Sequence, residues 1–278
     1  MIKHFFSLLY SVTKIDLKLI KGYPRIFIPL AIRALISLLF LSVLYVAPYY
    51  PFKKILGPLI IEHYGSQYLH YPNNFTIMPV VFTNLKNFIV NPLFSSVMIA
   101  ICCGMVYDYH IKREPGFWRN FNKAARRFWP LFLSMLFLVC GSYLIYRFTP
   151  GFIANIFGDM PFATFFLLFI PFIFLIIFET FFLFCFVAIM TKKQGIVSAL
   201  KNSVRFSRGL FPVAFILVFM PRLLDFFMSL ALSYQKFFSE LFVPDISLLL
   251  IIVSILTAVI SDTLVFSLTA NLYLLNEK

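Results

Sequence analysis

Residues 123–146 read KAARRFWPLFLSMLFLVCGSYLIY: three basic residues within five positions, followed by an uncharged apolar run from Phe128 to Tyr146. A helix rises 1.5 Å per residue, so about 20 apolar residues cross the hydrocarbon core of a bilayer. A basic flank beside such a run is the signature of a membrane span held in one orientation. Five more segments have the same character, and the six expected spans are residues 26–46, 88–105, 128–146, 163–190, 210–232 and 246–270.

Composition agrees. Of 278 residues, 61% are hydrophobic and 13% are charged, about half the charged share of a soluble domain. A soluble core could not bury so much apolar surface, and the excess is expected to face lipid. The net charge of +13 is read as topological, and nucleic acid is excluded as a partner. Of the 24 Lys and Arg, 17 fall in the N-terminal tail, the second and fourth loops and the C-terminus, among them Lys192, Lys193 and Lys278. Five, Lys53, Lys54, Lys86, Arg147 and Lys236, fall on the opposite side. By the positive-inside rule both termini are expected in the cytoplasm. The expected fold is all-α: a single domain over 1–278, a six-helix bundle with amphipathic interfacial helices before the odd-numbered spans.

The first of these helices occupies residues 1–25, where Phe5, Leu9 and Val12 recur at helical spacing among Lys3, Ser7 and Lys14. It has neither the long apolar region nor the small-residue cleavage site of a signal peptide. The second and third, residues 116–132 and 195–211, align without a gap: Gly116 with Gly195, Arg126 with Arg205, and Leu131-Phe132 with Leu210-Phe211. The chain thus reads as three units, each a basic amphipathic helix plus a transmembrane hairpin. Arg119, Lys123, Arg126, Arg127, Lys201, Arg205 and Arg208 are the candidate contacts to anionic headgroups, each contributing about 1 kcal/mol near such a surface.

The run Gly116…Ala124-Ala125-Arg126-Arg127-Phe128-Trp129-Pro130-Leu131, followed by Gly195…Ala199-Leu200…Ser203-Val204-Arg205…Gly209-Leu210-Phe211, resembles a bacterial superfamily of six-helix membrane proteins of unknown function. That superfamily includes the membrane domain of some glycerophosphoryl diester phosphodiesterases. The resemblance spans nearly the whole chain and implies a multi-pass fold in the bacterial inner membrane. Where many members carry an acidic residue before the second glycine, this chain has Lys192-Lys193-Gln194. A fainter resemblance to sulfate permeases rests on Tyr23-Pro24…Ile28-Pro29-Leu30 and Asn91-Pro92-Leu93-Phe94.

Five ionisable residues fall inside spans: Arg33, Glu179, Arg222, Asp225 and Asp262. A charge at the bilayer centre costs about 2.5–3.5 kcal/mol, so each must face protein, a partner or a wet cavity. Matching depths pair Arg33 with Asp262 and Arg222 with Glu179, while Asp225, one turn from Arg222, competes for it. Either the five are structural ion pairs or they line a polar pathway. The first alternative makes the chain a scaffold organising partners; the second makes it a transport or lipid-handling protein, with an anion-permease-like transporter as a variant. No catalytic motif, cofactor motif or metal-ligand spacing is present, and His4, His63, His70 and His110 read as isolated polar residues. The four cysteines read as small core- or lipid-facing residues, and the Phe-rich fourth span as lipid-facing bulk. Residues 47–87 form the expected external loop, tyrosine-rich, whose expected role is either to cap the bundle or to touch a protein partner.

Overall fold

The computed structural model describes residues 2–157, 163–192, 194–235, 237–238, 243 and 245–277. Lys193, Lys236 and Lys278, which enter the charge asymmetry, lie outside the described residues, as does Met1 at the start of the first amphipathic segment.

The described chain is helical, with no strand. Helix α1 (Ile2–Gly22) is followed by a 3-10 turn and α2 (Ile28–Val46). Then come α3 (Phe52–Tyr64), α4 (Asn73–Leu85), a π-helical stretch (Lys86–Ser95) and α5 (Ser96–His110). Next are α6 (Phe117–Ala125), α7 (Phe128–Phe157), α8 (Ala163–Phe182) and α9 (Phe184–Lys192). The last two are α10 (Ile196–Ser233) and α11 (Ile246–Asn276). Six helical segments are long and apolar enough to cross a membrane: Pro24–Val46, Asn73–His110, Phe128–Ile153, Phe166–Lys192, Ile196–Ser233 and Ile246–Asn276.

Punctuation residues set several boundaries. Pro24 and Pro29 sit in the first turns of their helices, where a missing N–H costs nothing. Gly116 and Gly195, matched in the sequence alignment, are both extended N-caps, of α6 and α10. Within α10, Leu210 leaves helical geometry (φ −127°, ψ 18°) two residues before Pro212. Pro212 offers no N–H to the carbonyl of Arg208, and its ring crowds that turn. The amphipathic segment and the fifth span are therefore one kinked helix. The α8–α9 break at Leu183 has a different cause. Ser207 and Ser203 of α10 donate hydrogen bonds to the carbonyls of Thr180 and Phe181, each at 2.7 Å, and tie α10 to the end of α8.

The helices that precede the odd-numbered spans are arranged cyclically. Helix α6 packs on α5, the first half of α10 packs on α8 and α9, and α1 packs on α11. Each thus lies against the second span of the hairpin before it, the last hairpin serving the first helix. In α6, Asn120 and Ala124 are buried; the aligned positions in α10, Ala199 and Ser203, are buried as well. In α1 the buried stripe is Val12, Asp16 and Leu19, so this helix turns its inner face to protein.

Two readings change on folding. The second span begins at Asn73 rather than near Phe88, because α4, the π-helix and α5 run on as one rod. Thr83, Asn84, Lys86 and Asn87 lower the hydropathy of its first half and make it read as loop. Of the expected external loop, α3 and the following 3-10 turn (Ser66–Leu69) are helical and stay outside the six segments. The phenylalanines of the fourth span are also not uniformly lipid-facing. Phe174 is exposed, but Phe172 is buried with its ring 4.7 Å from that of Phe226, and Phe178 and Phe182 both pack on Phe137 of α7, the first tilted and the second edge-to-face. A helix apolar on every side carries no sequence mark of which face packs. Cys102, Cys103 and Cys185 are buried and Cys140 is exposed.

Candidate functional site

Four helices bring the intramembrane charges to one place. Arg222 of α10 sits at the centre. Its Nε lies 2.9 Å from Glu179 Oε2 on α8 and its Nη2 3.3 Å from Glu179 Oε1. Its Nη1 reaches both Asp225 Oδ2, one turn away at 2.8 Å, and Asp262 Oδ1 on α11 at 2.5 Å. The other oxygen of Asp262 takes Arg33 Nη1 of α2 at 2.5 Å. Ser261 donates to Asp225 Oδ2 at 2.7 Å. The five residues named from sequence therefore form one network, in which Asp262 bridges two guanidinium groups, rather than two separate pairs. A planar guanidinium with several N–H donors suits this multiple engagement. With Arg222 among the three carboxylates, no group of His, Cys, Asp and Glu among the described residues has the arrangement of a metal site.

The network forms part of the wall of a cavity of about 570 Å³ between α2, the second span, α7, α8, α10 and α11. Glu179, Arg222, Asp225, Asp262 and Arg33 line one side. Leu138, Val139, Leu168, Phe172 and Leu230 supply apolar wall, and Tyr143 and Tyr146 of α7 supply half-exposed phenols. The volume is that of a small-molecule site, and the mix of apolar wall with few convergent polar groups is typical of one.

Sequence reasoning missed the polar contribution of the second span. Lys86, Asn84, Asn87 and Asn91 all line the cavity. Asn91 donates to Asn87 Oδ1 at 3.3 Å and Ser95 donates to Asn91 Oδ1 at 2.9 Å, a polar ladder along the π-helical turns. Wide turns of this kind are rare and concentrate at functional sites. The available signal was Lys86 followed by an Asn-x-x-x-Asn-x-x-x-Ser spacing at 87, 91 and 95, which places three polar side chains on one helical face.

A second polar region lies at the end of the bundle that carries the termini. Asp108 of α5 is fully buried and accepts from Arg119 and Asn120 of α6, both at 2.6 Å, with Lys123 Nζ 3.9 Å away. Arg127 donates to the carbonyls of Ile189 and Met190 at the end of α9. Asp16, buried in the α1–α11 contact, accepts from Asn271 at 2.8 Å, and Asn271 accepts from His110 at 2.7 Å. Burial pushes the Asp16 carboxyl up to about 7, against the lowering effect of hydrogen bonds from Ser267 and Asn271. Of the seven candidate headgroup contacts, Arg119 and Arg127 are thus engaged inside the protein and Lys123 leans on Asp108. Arg126, Lys201, Arg205 and Arg208 are exposed.

The class these features define is a polytopic helical bundle with a charged, partly apolar intramembrane cavity. Comparison with protein-family models, curated proteins and solved structures finds no match.

Proposed function

We propose that this chain is a multi-pass protein of the bacterial inner membrane, termini in the cytoplasm, that binds a substrate in its intramembrane cavity as a transport or lipid-handling protein. The observation that carries the reading is the coincidence of the Arg33–Asp262–Arg222–Glu179–Asp225 network with a cavity of about 570 Å³. Ion pairs that only locked helix neighbours would need no open volume beside them, since apolar residues of similar size hold buried helices at least as well. A scaffold that organises partners has no use for that space either. The exposed Arg126, Lys201, Arg205 and Arg208 face the anionic leaflet in this orientation and anchor the bundle there, while the substrate site lies nearer the opposite end.

The test is the molecule carried by the purified protein. Native mass spectrometry of wild type in mild detergent is expected to show a retained ligand. Ser142→Trp, which places an indole on the α7 wall of the cavity and replaces no member of the ion network, is expected to lose it. An identical ligand complement in the two proteins would overturn the cavity as the binding site.

A further inference from the structure

We infer that Lys86 is the binding cation of the cavity and that it takes the phosphate group of an amphiphilic ligand. The inference rests on the substrate-binding reading above and names the ligand chemistry for that same site.

The argument begins with which cations are already occupied. Every terminal nitrogen of Arg222, and its Nε, engages a carboxylate, and Arg33 is held on Asp262. Lys86 lines the same cavity, yet among the described residues no acidic oxygen lies within 4.0 Å of its Nζ. It is half-buried, on the wall of a membrane-embedded space, where a charge demands compensation. A compact ammonium with three donors is an effective point-charge partner for a phosphate oxygen.

The surroundings of Lys86 complete such a site. Asn84, Asn87 and Asn91 stand on the same stretch of the rod and line the same space. Their amide groups are suited to ester and glycerol oxygens, which need donors without charge. The same cavity is lined by apolar side chains, Leu138, Val139, Leu168 and Phe172. A free inorganic ion would gain nothing from that apolar lining, whereas an acyl or alkyl chain is stabilised by each methylene it buries there. The carboxylates of the ion network, all turned to Arg222, Arg33 or Ser261, leave the anion-binding role to Lys86. The phosphate source is therefore a lipid or lipid fragment.

The experiment uses the full-length protein in neutral detergent and three probes: dihexanoyl-phosphatidylglycerol, dihexanoylglycerol and inorganic phosphate. Wild type is expected to bind the phosphatidylglycerol, and Lys86→Gln to bind it about tenfold more weakly, the loss of one charge-assisted contact. Lys86→Arg is expected to restore binding, while dihexanoylglycerol binds wild type and Lys86→Gln alike. Because Lys86 makes no ion pair among the described residues, Lys86→Gln is expected to melt without ligand at the wild-type temperature; a large drop would assign Lys86 a structural role and overturn the inference. Displacement of the phosphatidylglycerol by inorganic phosphate, with the same dependence on Lys86, would support the phosphate site and make the free ion its source. Equal phosphatidylglycerol binding by wild type and Lys86→Gln, abolished by Ser142→Trp, would leave the cavity reading standing and remove Lys86 from it. Binding that Ser142→Trp does not change would remove both.

Discussion

Arg222 shows how one residue controls the energy of the whole site. It serves three carboxylates at once, so its loss differs from the loss of any one of them. Removing one member of a buried ion pair typically costs about 3–5 kcal/mol, because a charge is left without compensation. Arg222→Leu strands Glu179 and Asp225 together and leaves Asp262 with Arg33 alone; it is expected to reach that range in unfolding measurements in detergent. Glu179→Leu leaves Arg222 with Asp225 and Asp262 and is expected to cost less, about 1–3 kcal/mol. The double variant is expected to recover only part of the Arg222→Leu loss, since Asp225 is still stranded. Equal stability of wild type and both single variants would remove the network from any energetic role. Asp16 makes a second prediction at this scale. Its carboxyl moves from 3.8 when unfolded to about 7 in the α1–α11 contact, where burial disfavours the charged form. A folded value above the unfolded one means that the folded state binds the extra proton. Its stabilising share is then complete below the lower value and is lost as pH rises through about 7. Thermal unfolding of Asp16→Asn is expected to show a flatter dependence between those two pH values than wild type. An unchanged slope would place the titration elsewhere.

Among the elements, the approach of α6 to α5 depends on a missing side chain. A Cβ on Gly104 would lie 2.5 Å from Asn120 Oδ1, too close for any real contact. Gly104→Ala must therefore push α6 away and weaken the Asn120–Asp108 bond of 2.6 Å. Overpacking of this kind costs about 1–3 kcal/mol. Part should return in Gly104→Ala with Asn120→Ala, which removes the obstructing amide and leaves Asp108 to Arg119 and Lys123. Additive losses in the double variant would show that the two helices do not meet at this point. The π-helical stretch Lys86–Ser95 works in the opposite sense. It joins α4 to α5 into one rod and directs Lys86, Asn87 and Asn91 into the cavity. The helical character of the second span was legible in its apolar second half, but its true length was not, because the polar residues of its first half belong to a cavity wall and not to a loop.

For the molecule as a whole, the orientation rests on the distribution of Lys and Arg and is open to direct labelling. Ser66, after α3, and Ser198, at the start of α10, are both exposed and lie at opposite ends of the bundle. In intact cells, Ser66→Cys on a cysteine-free background is expected to react with an impermeant maleimide, and Ser198→Cys only after permeabilisation. The reverse pattern would invert the topology. The helices that precede the odd-numbered spans carry basic residues of two kinds, exposed and internally bonded. Replacing the exposed Arg126, Lys201, Arg205 and Arg208 by Gln is expected to reduce anionic-lipid enrichment around the purified protein, at about 1 kcal/mol per charge, with little effect on stability. Replacing Arg119 and Arg127 is expected to do the reverse, because both are bonded within the bundle.

What the sequence determined by itself is the solvent. Apolar runs of spanning length, with basic residues between them, read directly as helices in a bilayer, since backbone hydrogen bonding there leaves few alternatives. It also identified which intramembrane charges must find one another, because an isolated charge in hydrocarbon is too costly to keep. Only the tertiary structure decided that Arg33, Glu179, Arg222, Asp225 and Asp262 form one network, and that Lys86 lines the same cavity without an ion pair among the described residues. Burial cost is local and can be assigned residue by residue. Partner choice depends on how four helices rotate about their axes, and in helices apolar on nearly every face no periodicity in the sequence records that rotation.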